Sequence, residues 1–235
     1  MESQRYLGAT PSWALRIRIR TLYSLQAEIE HQSYPRQGPV NDVALSHIMG
    51  FVRTSFAILR QLRSVSWSLT QDATRHLVQS LILSRIDYCN VAIAGLPQRS
   101  IIRLQAVINT AAHLVLRVKK FDQISTLMRD KLQWLTIGER IRFKLSILVH
   151  KCLNNTTPSY LVDKIRPLSD DCNRLRLRSS NSSDVFVSRT KTGNRAFKVA
   201  GPHTWNSLPA TIRETKTLPA FKKQLKLYLI GNPEH

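Results

Sequence analysis

Residues 41–62, NDVALSHIMGFVRTSFAILRQL, place Leu45, Ile48, Val52, Phe56, Leu59 and Leu62 at spacings of three and four. An apolar stripe with that period predicts a helix burying one face, and Asn41 or Asp42 stands where an N-cap belongs. The period recurs downstream. A second helix is predicted from Thr70, with Asp72 in its first turn where the helix dipole favours an anion, through Leu77, Leu81, Ile82 and Ile86 to about Val91. Gly95 and Pro97 punctuate the chain before a third helix, whose Ile101, Leu104, Gln105, Ile108, Ala111, Ala112 and Val115 share one face. Arg99, Arg103 and Arg117 fall on or beside the opposite face. Three helices joined by short turns make a small bundle over residues 42–120.

Outside that bundle the texture changes. Residues 1–41 read as a poorly integrated leader: Trp13, Leu15, Ile17 and Ile19 alternate with Arg16, Arg18 and Arg20 as in a short strand, and Pro35, Gly38 and Pro39 break the chain. Residues 121–235 read as a second helical, loop-rich region. A short helix near Ile124 to Arg129 leads to Leu132, Trp134 and Leu135, and Thr136 with Glu139 is a capping-box pattern opening a helix along Ile137, Ile141, Leu145, Leu148 and Cys152. From Pro167 to about Lys191 the chain is polar, basic and rich in serine, with a short strand expected at Val185 to Val187. The last helix has Pro219 in its first turn, Leu218, Phe221, Leu225, Tyr228 and Leu229 as its buried stripe, and Lys222, Lys223 and Lys226 facing out. The expected fold is mainly α: a small helical bundle, then a helical and basic loop region with at most one or two short strands.

The chain of 235 residues has 35 Lys and Arg against 15 Asp and Glu, a net charge of +20. Self-repulsion of that size opposes compaction unless a polyanion offsets it, so the balance points to RNA or DNA held by its phosphate backbone. Most of the excess lies in 42–120, with ten basic and three acidic residues, and in 173–235, with twelve and three. No stretch approaches the roughly 18 to 20 apolar residues of a membrane span, and the N-terminus lacks a signal-peptide pattern. A soluble intracellular chain, nuclear or cytoplasmic, with no membrane partner is expected. Cys89, Cys152 and Cys172 are far apart and odd in number, which predicts reduced thiols.

Catalytic chemistry finds little support. Ser169-Asp170-Asp171 invites comparison with the aspartate pair that binds two Mg²⁺ ions in polymerases, but Leu168 occupies the position before it and polar Cys172-Asn173-Arg174 follows where an apolar strand is needed. His150 and Cys152 are two apart on a predicted helix, where their side chains diverge, so metal ligation is not expected. No nucleotide-binding, zinc-protease or serine-hydrolase motif occurs. No catalytic residue, metal site or cofactor is predicted. Trp67, Trp134 and Trp205 neighbour Leu-rich turns and are expected to seal corners of the core, with base stacking as the alternative.

An ordered series of short blocks adds a resemblance. It comprises Ser84-Arg85-Ile86-Asp87-Tyr88-Cys89-Asn90 with Gly95-Leu96-Pro97, Arg103-Leu104-Gln105 with Asn109-Thr110-Ala111-Ala112, and Leu132-Gln133-Trp134-Leu135 with Arg140-Ile141. Pro158-Ser159-Tyr160-Leu161, Leu177-Arg178-Ser179-Ser180 and Arg189-Thr190-Lys191-Thr192-Gly193-Asn194-Arg195-Ala196-Phe197 continue it. It closes with Gly201-Pro202-His203-Thr204-Trp205-Asn206-Ser207-Leu208-Pro209 and Leu218-Pro219-Ala220-Phe221-Lys222-Lys223. Over about 42–230 the chain resembles the region downstream of the polymerase core in non-LTR (LINE-type, jockey-like) retrotransposon reverse transcriptases.

The resemblance implies a thumb that grips the template-primer duplex, here 42–120, followed by the post-thumb region. It places the polymerase aspartates upstream of Ser84, where this sequence has no aromatic-x-Asp-Asp, so it does not carry RNA-directed DNA polymerase activity to this chain. A polymerase core supplied in cis or in trans is the partner it implies. His113 stands where the family often has Arg. The expected phosphate contacts are Arg99, Arg103, Arg117, Lys119 and Lys120 on the third helix and its exit. Arg174, Arg176, Arg178, Arg189, Lys191 and Arg195 would wrap a strand or an RNA hairpin. Two other readings are a protein-protein interaction or oligomerisation module and a translated transposon relic without selected function.

Overall fold

A computed structural model describes residues 40–87, 97–119, 122–168, 183–187 and 197–232. The leader up to residue 39, the expected second-helix end near Val91 and most of the serine-rich basic stretch lie outside them. The described chain is mainly α, with no strand or sheet among the described residues. It divides into two compact units: the chain up to Arg85 with Ile102–Ser125, and Ile86–Ile101 with the chain from Thr126 onward.

Among the described residues the first unit is built on two helices and, from Ile102 onward, most of a third. α1 spans Val40–Val65 and ends in a 3-10 turn at Ser66–Ser68. α2 spans Gln71–Val78 and continues through a π turn at Gln79–Leu83; α3 spans Gln98–Leu116. Thr70 caps α2 by accepting a hydrogen bond from the Ala73 N–H, as its sequence position predicts. The Arg85 guanidinium lies over the Phe51 ring, so α2 returns antiparallel to α1. Arg103 donates to the Met49 sulfur, and Arg117 donates to the carbonyls of Ser66 and Leu69. Contacts rising together along both chains make α3 parallel to α1, an up-down-up arrangement.

Burial corrects two details of the sequence pattern. In α1 the buried residues are Ile48, Val52, Thr54, Ser55, Ile58, Leu59, Leu62 and Val65 among those described, while Phe56 is exposed. The inward line passes through small, polar Ser55, which an apolar pattern skips. In α2 the inward residues are Thr74, Val78, Leu81, Ile82, Leu83 and Ile86, with Leu77 only half-buried. The wider π turn puts one more residue into the helical repeat, so three successive side chains, Leu81 to Leu83, are buried. In α3, Val107, Ile108, Ala111 and Ala112 are fully buried; the two alanines keep this face of the helix narrow.

α4 (Ile124–Leu127) has its first two residues in the first unit and its last two in the second, and runs into a π turn at Met128–Leu132. α5 (Ile137–Leu153) opens on the capping box that Thr136 and Glu139 predict: Thr136 Oγ1 accepts from the Glu139 N–H, and Glu139 Oε2 accepts from the Thr136 N–H at 2.8 Å. A one-turn helix, α6, spans Ser159–Val162. α7 (Phe197–Asn206) and α9 (Leu218–Gly231) pack on α5, with α8 (Ala210–Arg213) beside α9. Trp205, Phe221, Leu225, Leu229, Val149 and Cys152 are buried in one cluster, each large side chain contributing about 1.5–3 kcal/mol by leaving water. The stripe predicted for α9 holds, with Phe221, Leu225 and Leu229 fully buried and Lys222, Lys223 and Lys226 exposed.

The block Gly201 to Pro209 is an assembly point of this core. A Cβ on Gly201 would sit 3.0 Å from Val149 Cγ2, so glycine lets α7 approach α5 closely. Trp205 donates from Nε1 to the Ser183 carbonyl at 2.9 Å. The Asn206 carboxamide accepts from the Val185 N–H at 2.9 Å and donates to the Val185 carbonyl at 2.8 Å. On its other edge this segment bonds to Arg166 and Leu168, through the Phe186 N–H and the Asp184 carbonyl. The strand expected at Val185–Val187 is therefore a single antiparallel bridge, Pro167 to Val185, flanked by a side chain that plays a neighbouring strand's part. One amide supplies both hydrogen bonds, so no second ladder is needed.

Candidate nucleic-acid interface

α1 turns a basic and aromatic face to water. At 3.6 residues per turn, Arg53, Phe56, Arg60 and Arg63 fall within an arc of about 80°, and all four are exposed. Trp67 follows in the 3-10 turn with its residue surface 66% exposed, against 36% for Phe56. Between Asp42 and Asp72 the chain has no carboxylate side chain. From Val43 to Gln71, then, no acidic residue of the segment offsets the positive potential of this face.

The sequence Ser64-Val65-Ser66-Trp67-Ser68 fixes that turn. The last carbonyls of a helix lack intrahelical donors, and here side chains supply them. Ser66 Oγ donates to the Arg63 carbonyl at 2.8 Å, Trp67 Nε1 to the Ser64 carbonyl at 3.2 Å, and Ser68 Oγ to the Val65 carbonyl at 2.8 Å. From α3, Arg117 Nη2 reaches the carbonyls of Ser66 and Leu69 at 3.0 and 2.5 Å. Arg117 itself has φ 54°, a left-handed conformation that favours glycine. Its two hydrogen bonds fasten the turn that displays Trp67. The indole is thus anchored by its N–H while its ring stays in solvent. This corrects the expectation that Trp67 seals a core corner; Trp134 and Trp205 do so, at 4% and 1% exposure.

The phosphate contacts expected from the sequence fall in several places. Arg99, Arg103 and Lys119 are exposed. The Lys119 backbone N–H donates to Asp122 Oδ2 at 2.8 Å, and Arg117 carries the structural contacts just described. Lys120, Arg174, Arg176, Arg178, Arg189, Lys191 and Arg195 lie outside the described residues, as do Asp170 and Asp171. The sequence reading missed Arg53, Arg60 and Arg63. The signal available was their spacing, together with the absence of acidic residues around them.

Several carboxylates, by contrast, are used internally. In the second unit, Glu139 Oε1 pairs with Arg129 Nη2 at 2.7 Å with its side chain only 2% exposed. Asp87 pairs with Arg140 at 2.8 Å, and Arg140 Nε also donates to the Leu135 carbonyl. Asp184 pairs with Arg213. His150, buried against Phe221, bonds through Nε2 to the Thr215 carbonyl at 2.9 Å, which makes Nε2 the protonated nitrogen. Among the described residues no group of three His, Cys, Asp or Glu side chains is placed to hold a metal ion, and no helix is long and apolar enough to cross a membrane.

Comparison with known protein families, curated proteins and solved structures finds no match to this chain. Guanidinium groups in a row attract phosphates, and a fixed indole face offers a stacking surface.

Proposed function

We propose that this chain binds nucleic acid through backbone phosphates without catalysing a reaction on it, as the thumb and post-thumb portion of a non-LTR reverse transcriptase. The observation that carries the reading is the partition of charge. The net charge is +20, and buried or half-buried carboxylates such as Glu139, Asp87 and Asp184 are paired inside the fold. Arg53, Arg60, Arg63, Arg99 and Arg103 meanwhile stand exposed. The ordered sequence blocks resembling the reverse-transcriptase thumb support the same reading.

Fluorescence anisotropy of a labelled oligonucleotide against salt tests it. With six or more phosphate contacts, affinity is expected to fall about 10³-fold between roughly 50 and 200 mM salt. A flat dependence would remove the phosphate-binding reading. The exposed Ile102 and Leu227, each 59% exposed, favour a second reading as a protein-interaction module. That reading requires oligomers in light scattering that persist at high salt, because apolar burial is not screened.

A further inference from the structure

We infer that the Arg53-Phe56-Arg60-Arg63-Trp67 face of α1 and its terminal turn is a site for a single-stranded polynucleotide, with Trp67 stacking on an unpaired base and the three arginines taking phosphates. This rests on the nucleic-acid reading above and specifies its ligand. Three observations carry it. Trp67 is 66% exposed although its N–H is bonded, so the ring is held out by design of the turn rather than left over from a core. Four separate donors, from Ser66, Ser68, Trp67 and Arg117, hold the carbonyls around it. Two aromatic groups are interspersed among three arginines in a segment with no acidic residue from Val43 to Gln71, the composition of a surface that tracks a backbone while stacking its bases.

Charge and geometry choose the occupant. A polyanion satisfies the arginines, and an aromatic partner with an open face satisfies the indole; an unpaired nucleotide brings both. A duplex buries its base faces against each other, so it can engage the arginines but not the Trp67 ring. From Arg53 to Trp67 the face extends about 21 Å at 1.5 Å per residue, room for several nucleotides. Stacking and phosphate contacts do not read the 2′-hydroxyl, so DNA and RNA single strands are both ligands.

The test uses the full chain with labelled single strands of DNA and of RNA, about 16 nucleotides long, and the corresponding duplex. Trp67→Ala is expected to weaken single-strand binding about tenfold and to leave duplex binding unchanged within about twofold, with Trp67→Phe restoring most of the loss. Far-ultraviolet circular dichroism of the variants should match the parent, because the ring is not part of the core. Equal losses for single strand and duplex, or no loss for the single strand, would overturn the inference. If Trp67→Ala is silent while the parent still binds with steep salt dependence, the stacking site alone fails. If the parent binds neither form at low salt, the nucleic-acid reading fails and takes this site with it.

Discussion

Glu139→Ala is expected to lower the stability of the second unit by about 3–5 kcal/mol, the cost of breaking a buried ion pair from one side. The Glu139 carboxylate accepts from the Arg129 guanidinium with one oxygen and from the Thr136 N–H with the other, and its side chain is 2% exposed. Alanine leaves the Arg129 charge, 16% exposed, without its counter-charge, and removes half of the capping box that starts α5. Since α7 and α9 both pack on α5, a frayed α5 start reaches the core. Glu139→Gln keeps an acceptor for the cap and should lose less. Urea unfolding followed by fluorescence of the buried Trp134 and Trp205 measures both; a loss under about 1 kcal/mol for the alanine variant would mean that the pair behaves as a solvated surface bridge.

The second large effect is at Phe221. Its ring is fully buried, stacked on His150 with centroids 4.4 Å apart and tilted against Trp205 at 5.6 Å. Phe221→Ala is expected to cost about 3–5 kcal/mol, since the cavity lies between helices that cannot collapse into it without moving α9. Phe221→Leu refills most of the volume and should cost less than about 2 kcal/mol. The same urea transition reads both, and near-ultraviolet circular dichroism should report altered packing around Trp205. Equal, small effects of the two substitutions would show that α9 is not held by this contact.

Much of the fold is legible because its signals are local. Thr70 and the Thr136-Glu139 pair are caps whose geometry depends on residues three positions apart, and the α9 stripe repeats with the period of an undistorted helix. The π turn at Gln79–Leu83 is not legible in that way: it shifts the inward face by one residue for reasons of packing that no local pattern carries. Ser55 and Phe56 exchange their expected places because α1 is positioned by its neighbours, and a small hydroxyl fits the inward line where a phenyl ring does not. Val185 reads as the centre of a short strand, yet its own N–H and carbonyl both bond to the side chain of Asn206, twenty-one positions away.

The excess of cations is legible in the sequence, but their placement is not. Net charge alone points to a polyanionic partner as an expectation, whereas the choice among arginines depends on what each guanidinium touches. Arg117 reads as an outward cation on the third helix, but its Nη2 is engaged by two carbonyls of the turn after α1. Arg53, Arg60 and Arg63 look like ordinary surface charges until Phe56 and Trp67 prove to be exposed beside them.

The most direct measurement is the slope of log Kobs against log salt for a single-stranded oligonucleotide, for the parent chain and for Arg53→Gln/Arg60→Gln/Arg63→Gln. Removing three phosphate contacts should weaken binding at low salt and make the slope shallower by about 2, at roughly 0.7 per contact on a single strand. Superimposable lines for the two proteins would contradict the claim that this face holds the polynucleotide.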